Sequence, residues 1–171
     1  EPIKGNPVVY IRVVSHKLEK KGNFTEVLRT VNRQDRWRIE TMKESKKGAD
    51  SSEKIVTTYW YPLKRENQLQ YEIKGPASVR VFTRIEFDKV DIKEDYYIRI
   101  REDGYDLGIY YFETEPSGSS SVAKTGKTVG KWRTVWLNVP KGKHYYTLTL
   151  PNINDNSYKT VYIRLKEWEE E

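Results

Sequence analysis

The chain has 171 residues, 36% of them hydrophobic and 33% charged, with 31 Lys and Arg against 25 Asp and Glu for a formal net charge of +6. The absence of cysteine excludes disulfides, thiolate metal sites and cysteine nucleophiles together, and no apolar run approaches the roughly 20 residues that a membrane-spanning helix needs. The 13 Tyr, 5 Trp and 4 Phe supply large buried areas that disordered chains of similar charge lack, so the composition describes a single folded domain over residues 1–171 with a thin core and a heavily charged surface.

The chain opens on Glu1 rather than Met, as it would after removal of a signal peptide or trimming. Pro7–Ser15 (PVVYIRVVS) is a β-branched run and reads as the first strand. Phe24–Val31 and Arg36–Met42 follow as strands, then a polar loop over Lys43–Lys54, then a strand over Ile55–Tyr61. Leu69–Ile73 is a strand that ends at the turn signal Lys74-Gly75-Pro76. Ser78–Phe87 sets Val79, Val81, Ile85 and Phe87 on one face and Arg80, Phe82, Arg84 and Glu86 on the other. Tyr96, Ile98 and Ile100 alternate with Tyr97, Arg99 and Arg101, and Asp103-Gly104 supplies the positive φ that reverses a strand into Leu107–Glu113. A second polar loop is expected over Glu115–Gly130, cheap to delete between Ser117 and Thr128. Trp132–Val139 and His144–Leu150 are strands separated by the turn Pro140–Lys143, and Val161, Ile163 and Leu165 alternate with Tyr162, Arg164 and Lys166 in the last one. No segment holds a 3.6-residue period for three turns; SHKLEKKG (Ser15–Gly22) and KREN (Lys64–Asn67) are the nearest. Some eleven short strands in one domain predict an all-β, two-sheet antiparallel β-sandwich of jelly-roll type, one face of each sheet to the core and one to water.

Ser119–Trp132 carries Gly126-Lys127-Thr128, the tail of a phosphate-binding loop, but the glycine required five positions earlier is Ser121 and a strand follows where the motif needs a helix. No nucleotide or other cofactor is expected. The only histidines, His16 and His144, are too few for a zinc site without cysteine. Asn152, Asn154 and Asn156 surround a single carboxylate, Asp155, and Asp88, Asp91, Asp95, Asp103 and Asp106 are explained by turn-forming Asx residues as well as by calcium, so no metal site is assigned. His144, Tyr145, Tyr146, Arg80 and Arg84 supply the residue types of a polysaccharide lyase without a contiguous motif, 25 carboxylates discriminate nothing for a glycosidase, and Gly-x-Ser-x-Gly is absent; no catalytic residue is assigned.

Two features point to binding. In Tyr59-Trp60-Tyr61 a strand must send the tryptophan one way and the tyrosines the other; with Trp60 inside, Tyr59 and Tyr61 face outward to a ligand. Arg80, Arg84, Arg99, Arg101, Arg133 and Arg164, with Tyr97 and Tyr162 between them, fall on expected solvent faces, where they either tile an anion-holding surface or are laced into ion pairs by Glu72, Glu86 and Glu113. The mixed charge signs argue against nucleic acid. Three functions fit. The first is a non-catalytic binding module of an exported bacterial protein, extracytoplasmic, holding a carbohydrate or protein partner through the aromatic and arginine face or through loop ends. The second is a carbohydrate-active enzyme on the same fold, and the third a structural subunit that assembles through an edge strand.

Overall fold

The computed structural model describes residues 10–12, 22–47, 50–88, 92–153 and 159–170. Its architecture follows from two long bent strands, β5 (Leu69–Phe87) and β10 (Arg133–Thr149), paired antiparallel from Leu69 opposite Leu148 to Thr83 opposite Arg133. Each merges two segments that the sequence separates by a turn. Lys74-Gly75-Pro76 and Pro140–Lys143 lie opposite one another, and neither reverses the chain. The ladder skips between Val139 and Gly142, so Pro140 and Lys141 bulge against Pro76. Prolines are tolerated here because a bulge already interrupts the ladder of N–H donors. Gly75 is required by close approach, since a Cβ on it would lie 1.8 Å from the Pro140 carbonyl oxygen.

On one side of this bend the ladder continues from β10 to β6 (Glu94–Glu102), β7 (Tyr105–Thr114) and β1 (Tyr10–Arg12), the last parallel to its neighbour. On the other side β5 pairs with β11 (Val161–Glu170), which pairs with β2 (Gly22–Glu26). Side chains from both halves meet in one apolar core: Leu69, Tyr71 and Ile73 before the bend, Val79, Val81 and Ile85 after it, closed by Ile98, Ile100, Leu148, Ile163 and Leu165. This is the expected all-β, two-sheet sandwich of jelly-roll type, with no helix among the described residues. The Asp103-Gly104 turn is found as predicted, both residues at positive φ (49° and 84°) between Glu102 and Tyr105.

Both expected polar loops are strands instead. The hairpin of β3 (Trp37–Lys47) and β4 (Asp50–Leu63) stays in register from Trp37 opposite Trp60 to Lys47 opposite Asp50, running through the stretch expected as a loop over 43–54. Within 115–130, β8 (Pro116–Val122) pairs with β3 and β9 (Thr128–Gly130) pairs with β5, the turn between them holding Gly126 at a φ of 71°. Val122 and Ser120 are buried there, so a deletion of 117–128 would remove packed structure, contrary to the expectation of a bare loop. Poor strand formers are held because their partners supply the ladder and side-chain bonds such as Ser120 Oγ to Thr41 Oγ1, 2.7 Å apart. KREN is a turn tied by Asn67 to Lys64 and Pro62. Of the other sequence readings, the Pro7–Ser15 strand beyond Tyr10–Arg12, SHKLEKKG up to Lys21 with His16, Asp91, and Asn154–Asn156 lie outside the described residues.

Because β4 also pairs with β11, the ladder β5–β9–β8–β3–β4–β11 returns to β5. A small second layer thus stands over the outer face of the sandwich. Between them lies a second core of Ile39, Trp60, Val122, Val129 and Tyr162, flanked by Trp37 and Phe82.

Candidate functional site: an arginine and aromatic cleft

The site is built on the outer face of β10, β5 and β11, where register sets the side chains in rows. Trp136, Arg80 and Lys166 form one row; Thr134, Phe82 and Arg164 the next; Arg84 and Tyr162 the third. The second layer arches over the far end of these rows and leaves a cleft of about 630 Å³. Trp60, Phe82 and Trp132 contribute rings to its lining, and Thr41, Thr58 and Ser120 contribute hydroxyls. Among the described residues six cations line it (Lys43, Arg84, Lys131, Arg133, Arg164 and Lys166), and no Asp, Glu or His does.

Cations and rings alternate in contact. The Arg84 guanidinium lies 5.7 Å from the Trp60 ring centre and 5.9 Å from that of Trp132, and Arg164 is 5.9 Å from Trp60. Arg80 sits 4.9 Å from Phe82 and 5.7 Å from Trp136, and Lys166 is 5.3 Å from Phe82. Such contacts partly replace hydration for a cation. Arg84 is only 4% exposed, and its Nε donates to the Gly130 carbonyl at 2.8 Å. Burial lowers its pKa to about 10, so it stays charged at neutral pH. Desolvation also lowers Lys166, as do its neighbours Arg164 and Arg80, with Glu26 opposing. Trp60 is fixed by its Nε1–H donating to Thr58 Oγ1 at 2.8 Å, whereas Trp132 is 55% exposed at the mouth.

The structure divides the residues that the sequence grouped. Arg84 and Arg164 share the cleft, with Arg80 one row away. Tyr162 is a correction: it is wholly buried in the second core, 6.1 Å from the Trp37 ring, because the second layer covers what reads as a solvent face. Tyr61 is another. Trp60 is inside and Tyr59 outside as expected, but Tyr61 is 3% exposed, edge-on to Tyr71 in the main core, with its hydroxyl donating to the Leu28 carbonyl. The end of β4 enters the sandwich, so its outer face ceases to be outer there. Tyr59 lies on the side of β4 away from Trp60, stacked under Arg36 at 5.2 Å.

Tyr97, Arg99 and Arg101 are on β6, in the other half of the sandwich. Tyr97 packs on Tyr111 at 5.1 Å, and both arginines reach Asp106, at 3.7 and 3.0 Å. There the ion-pair alternative holds, although through Asp106 and none of the three glutamates considered. Glu72 and Glu86 pair with Lys143 and Lys127, and Glu113 with Lys93. Of the cleft cations, Arg164 is held by Glu26 through Nε and Nη2 (2.5 and 3.2 Å) and Lys131 by Glu115 (2.5 Å). The sequence reading missed Trp132, Phe82 and Lys166 as site residues. Their signal is the two-residue phase of Trp132, Thr134 and Trp136, matched by that of Arg80, Phe82 and Arg84.

The lyase residue types do not converge. His144 is on the other side of the bend, where Nδ1 meets Asp103 Oδ2 at 2.6 Å and Nε2 meets the Lys141 carbonyl at 3.1 Å. Asp103 Oδ1 accepts from the Tyr145 N–H at 2.9 Å, and Tyr146 donates to Glu102 at 2.5 Å. Glu102, Asp103 and His144 lie close enough to share an ion, but these bonds make the cluster a clamp between the β6–β7 turn and β10. His144 is raised by its bond to Asp103, and Asp103 is lowered by the Tyr145 N–H and then by His144.

No protein-family model matches the chain, and neither does any curated protein. Among solved structures, a CBM36-1 domain of a multidomain xylanase from the hindgut metagenome of Trinervitermes trinervoides aligns at 10% identity and TM-score 0.37, over 80% of this chain and 98% of that one. A family 35 carbohydrate-binding module from Clostridium thermocellum aligns at 12% identity and TM-score 0.36, over 82% and 97%. The catalytic domain of Agl-KA aligns at 9% identity and TM-score 0.44, over 85% of this chain and 30% of that one. Likeness at this level carries no weight for function, which has to come from the chemistry of the cleft.

Proposed function

We propose that this chain is a non-catalytic binding module of an exported bacterial protein and that the cleft between its outer sheet face and the small second layer holds a carbohydrate. The observation that carries this reading is the lining: rings of Trp60, Phe82 and Trp132 beside the hydroxyls of Thr41, Thr58 and Ser120 in one concavity. Sugars combine apolar C–H faces, which pack on rings, with hydroxyl edges, which need donors and acceptors. The absence of a carboxylate or histidine from that lining among the described residues supports binding over glycoside cleavage, which needs a proton donor and a base or nucleophile at the bond.

Titration calorimetry against a panel of neutral and acidic oligosaccharides, with mass spectrometry of the mixtures afterwards, tests it. Binding without product is expected, and Trp132→Ala should weaken it about tenfold or more, as for an aromatic anchor, while leaving the fold intact because Trp132 is half exposed. Product formation would make the chain an enzyme, and unchanged binding by the Trp132 variant would remove the cleft from the reading.

A further inference from the structure

Building on the carbohydrate reading, we infer that the saccharide taken by this cleft is anionic, its carboxylate or sulfate groups seated against Arg84, Arg133 and Lys166. Sugar binding as such asks for rings and hydroxyls. It does not ask for the six cations, with no acid among the described residues, that line this cleft. Outside the cleft, Arg99, Arg101, Lys93 and Lys143 each have a carboxylate within 4 Å. Inside it, only Arg164 and Lys131 are so paired among the described residues.

Arg84 is the most telling. A guanidinium 4% exposed, between two indoles, with no carboxylate partner among the described residues, is an expensive arrangement for a protein without use for it. Arg80, one row away, has its Nε buried and without a hydrogen-bond partner. Glu26 is committed to Arg164 through two bonds, which leaves Lys166 beside Arg164 and Arg80 with little compensation. An anion entering the cleft would relieve that repulsion and form charge-assisted hydrogen bonds in a desolvated place, where they are strongest. A uronic acid or a sulfated sugar offers such a group together with a C–H face for Trp132. An extended nucleic acid would call instead for a continuous basic track with a succession of stacking rings along it.

The experiment is calorimetry of the whole chain with four probes: an oligogalacturonate, the same oligomer methyl-esterified, a chondroitin sulfate oligosaccharide, and an oligothymidylate of matched charge. At least one acidic saccharide should bind about tenfold or more tightly than the ester, with affinity falling as salt rises. Chondroitin sulfate carries uronate carboxylates as well as sulfates, so a preference for it over the oligogalacturonate identifies sulfate as the added group, and tighter binding of either acid supports the inference. Lys166→Gln and Arg84→Gln should weaken binding of the acid by a larger factor than that of the ester, and an equal loss for both would overturn the inference; Lys166 is the less buried of the two and gives a folded variant should Arg84→Gln not fold. Equal affinity for acid and ester would overturn the anionic inference while leaving the carbohydrate reading intact. Failure of all three saccharides would overturn both, and oligothymidylate binding more tightly than either acidic sugar would overturn the inference in favour of nucleic acid.

Discussion

β5 separates two environments that share a backbone but not a chemistry. On its inner face Leu69, Tyr71, Ile73, Val79, Val81 and Ile85 join a core of aliphatic and tyrosine side chains fed by both halves of the sandwich. On its outer face Arg80, Phe82 and Arg84 meet a second core of only five buried residues and an open cleft. Area sets the division of labour. At roughly 25 cal/mol per Å² of apolar surface buried, the large core can hold β5 and β11 in place. That leaves their outer faces free to carry buried cations, a feature that a stability-optimised surface would avoid. The register of the floor is thus fixed from behind, and the cleft inherits rigidity that it does not itself generate.

The largest expected effect tests whether the two environments fold as one. Trp60→Ala should cost about 3–5 kcal/mol, as for other buried large aromatics, because the ring fills the second core and backs Arg84 and Arg164. Urea denaturation followed by fluorescence and by circular dichroism should give one coincident transition. A separate early transition, or a loss below 1 kcal/mol, would mean that the second layer is an independent flap. A smaller change of opposite sign sharpens the inner side. The Tyr71 hydroxyl is fully buried without a hydrogen-bond partner among the described residues, and burial raises its pKa strongly. Tyr71→Phe should therefore stabilise by about 1 kcal/mol, the low end of the penalty for an unsatisfied buried group; a loss of similar size would reveal a bond to that oxygen.

The clamp on the far side of the bend should respond to pH. His144 has a raised pKa, so its contribution is fully present below its ordinary 6.5 and lost as pH rises through the folded-state value. Asp103 has a lowered pKa, so its contribution is present above its ordinary 3.8 and lost as pH falls through the folded-state value. The difference in Tm between the native chain and His144→Asn should thus be greatest between about pH 4 and 6.5 and shrink at alkaline pH; a difference that grew with pH would reverse the assignment. The smallest effect is reserved for Tyr59→Ala. Half exposed and on the side of β4 away from Trp60, Tyr59 should change stability by no more than about 0.5 kcal/mol and leave saccharide binding untouched in the calorimeter.

How much of this could be read from the residues alone differs between the same two environments. The inner faces of β5, β6 and β11 follow directly from period-two alternation, and so does the hairpin at Asp103-Gly104. The alternation of Arg80, Phe82 and Arg84 is equally visible, but their surroundings are not. The layer that covers them comes from Ser- and Gly-rich β8 and the charged β3–β4 hairpin, whose strand character is imposed by partners remote in sequence. Without that layer Tyr162 and Arg84 read as exposed, and the arginines of β6 read as their neighbours. The prolines failed for a related reason. Pro with Gly marks an irregular backbone, and only the opposing strand decides whether the irregularity is a turn or a bulge.

β11 has a consequence for how the molecule comes into being. It lies between β5 on one side and β4 and β2 on the other, and the bonds from Arg164 to Glu26 join residues 138 apart in sequence. Both the main core and the ring of strands around the cleft are therefore open until this segment docks. Closing such wide loops costs chain entropy before any contact repays it, which places the domain among slow, topology-limited folders. During synthesis the earlier strands must wait with apolar edges uncovered, and the docking of β11 closes the main core and the walls of the cleft in the same event.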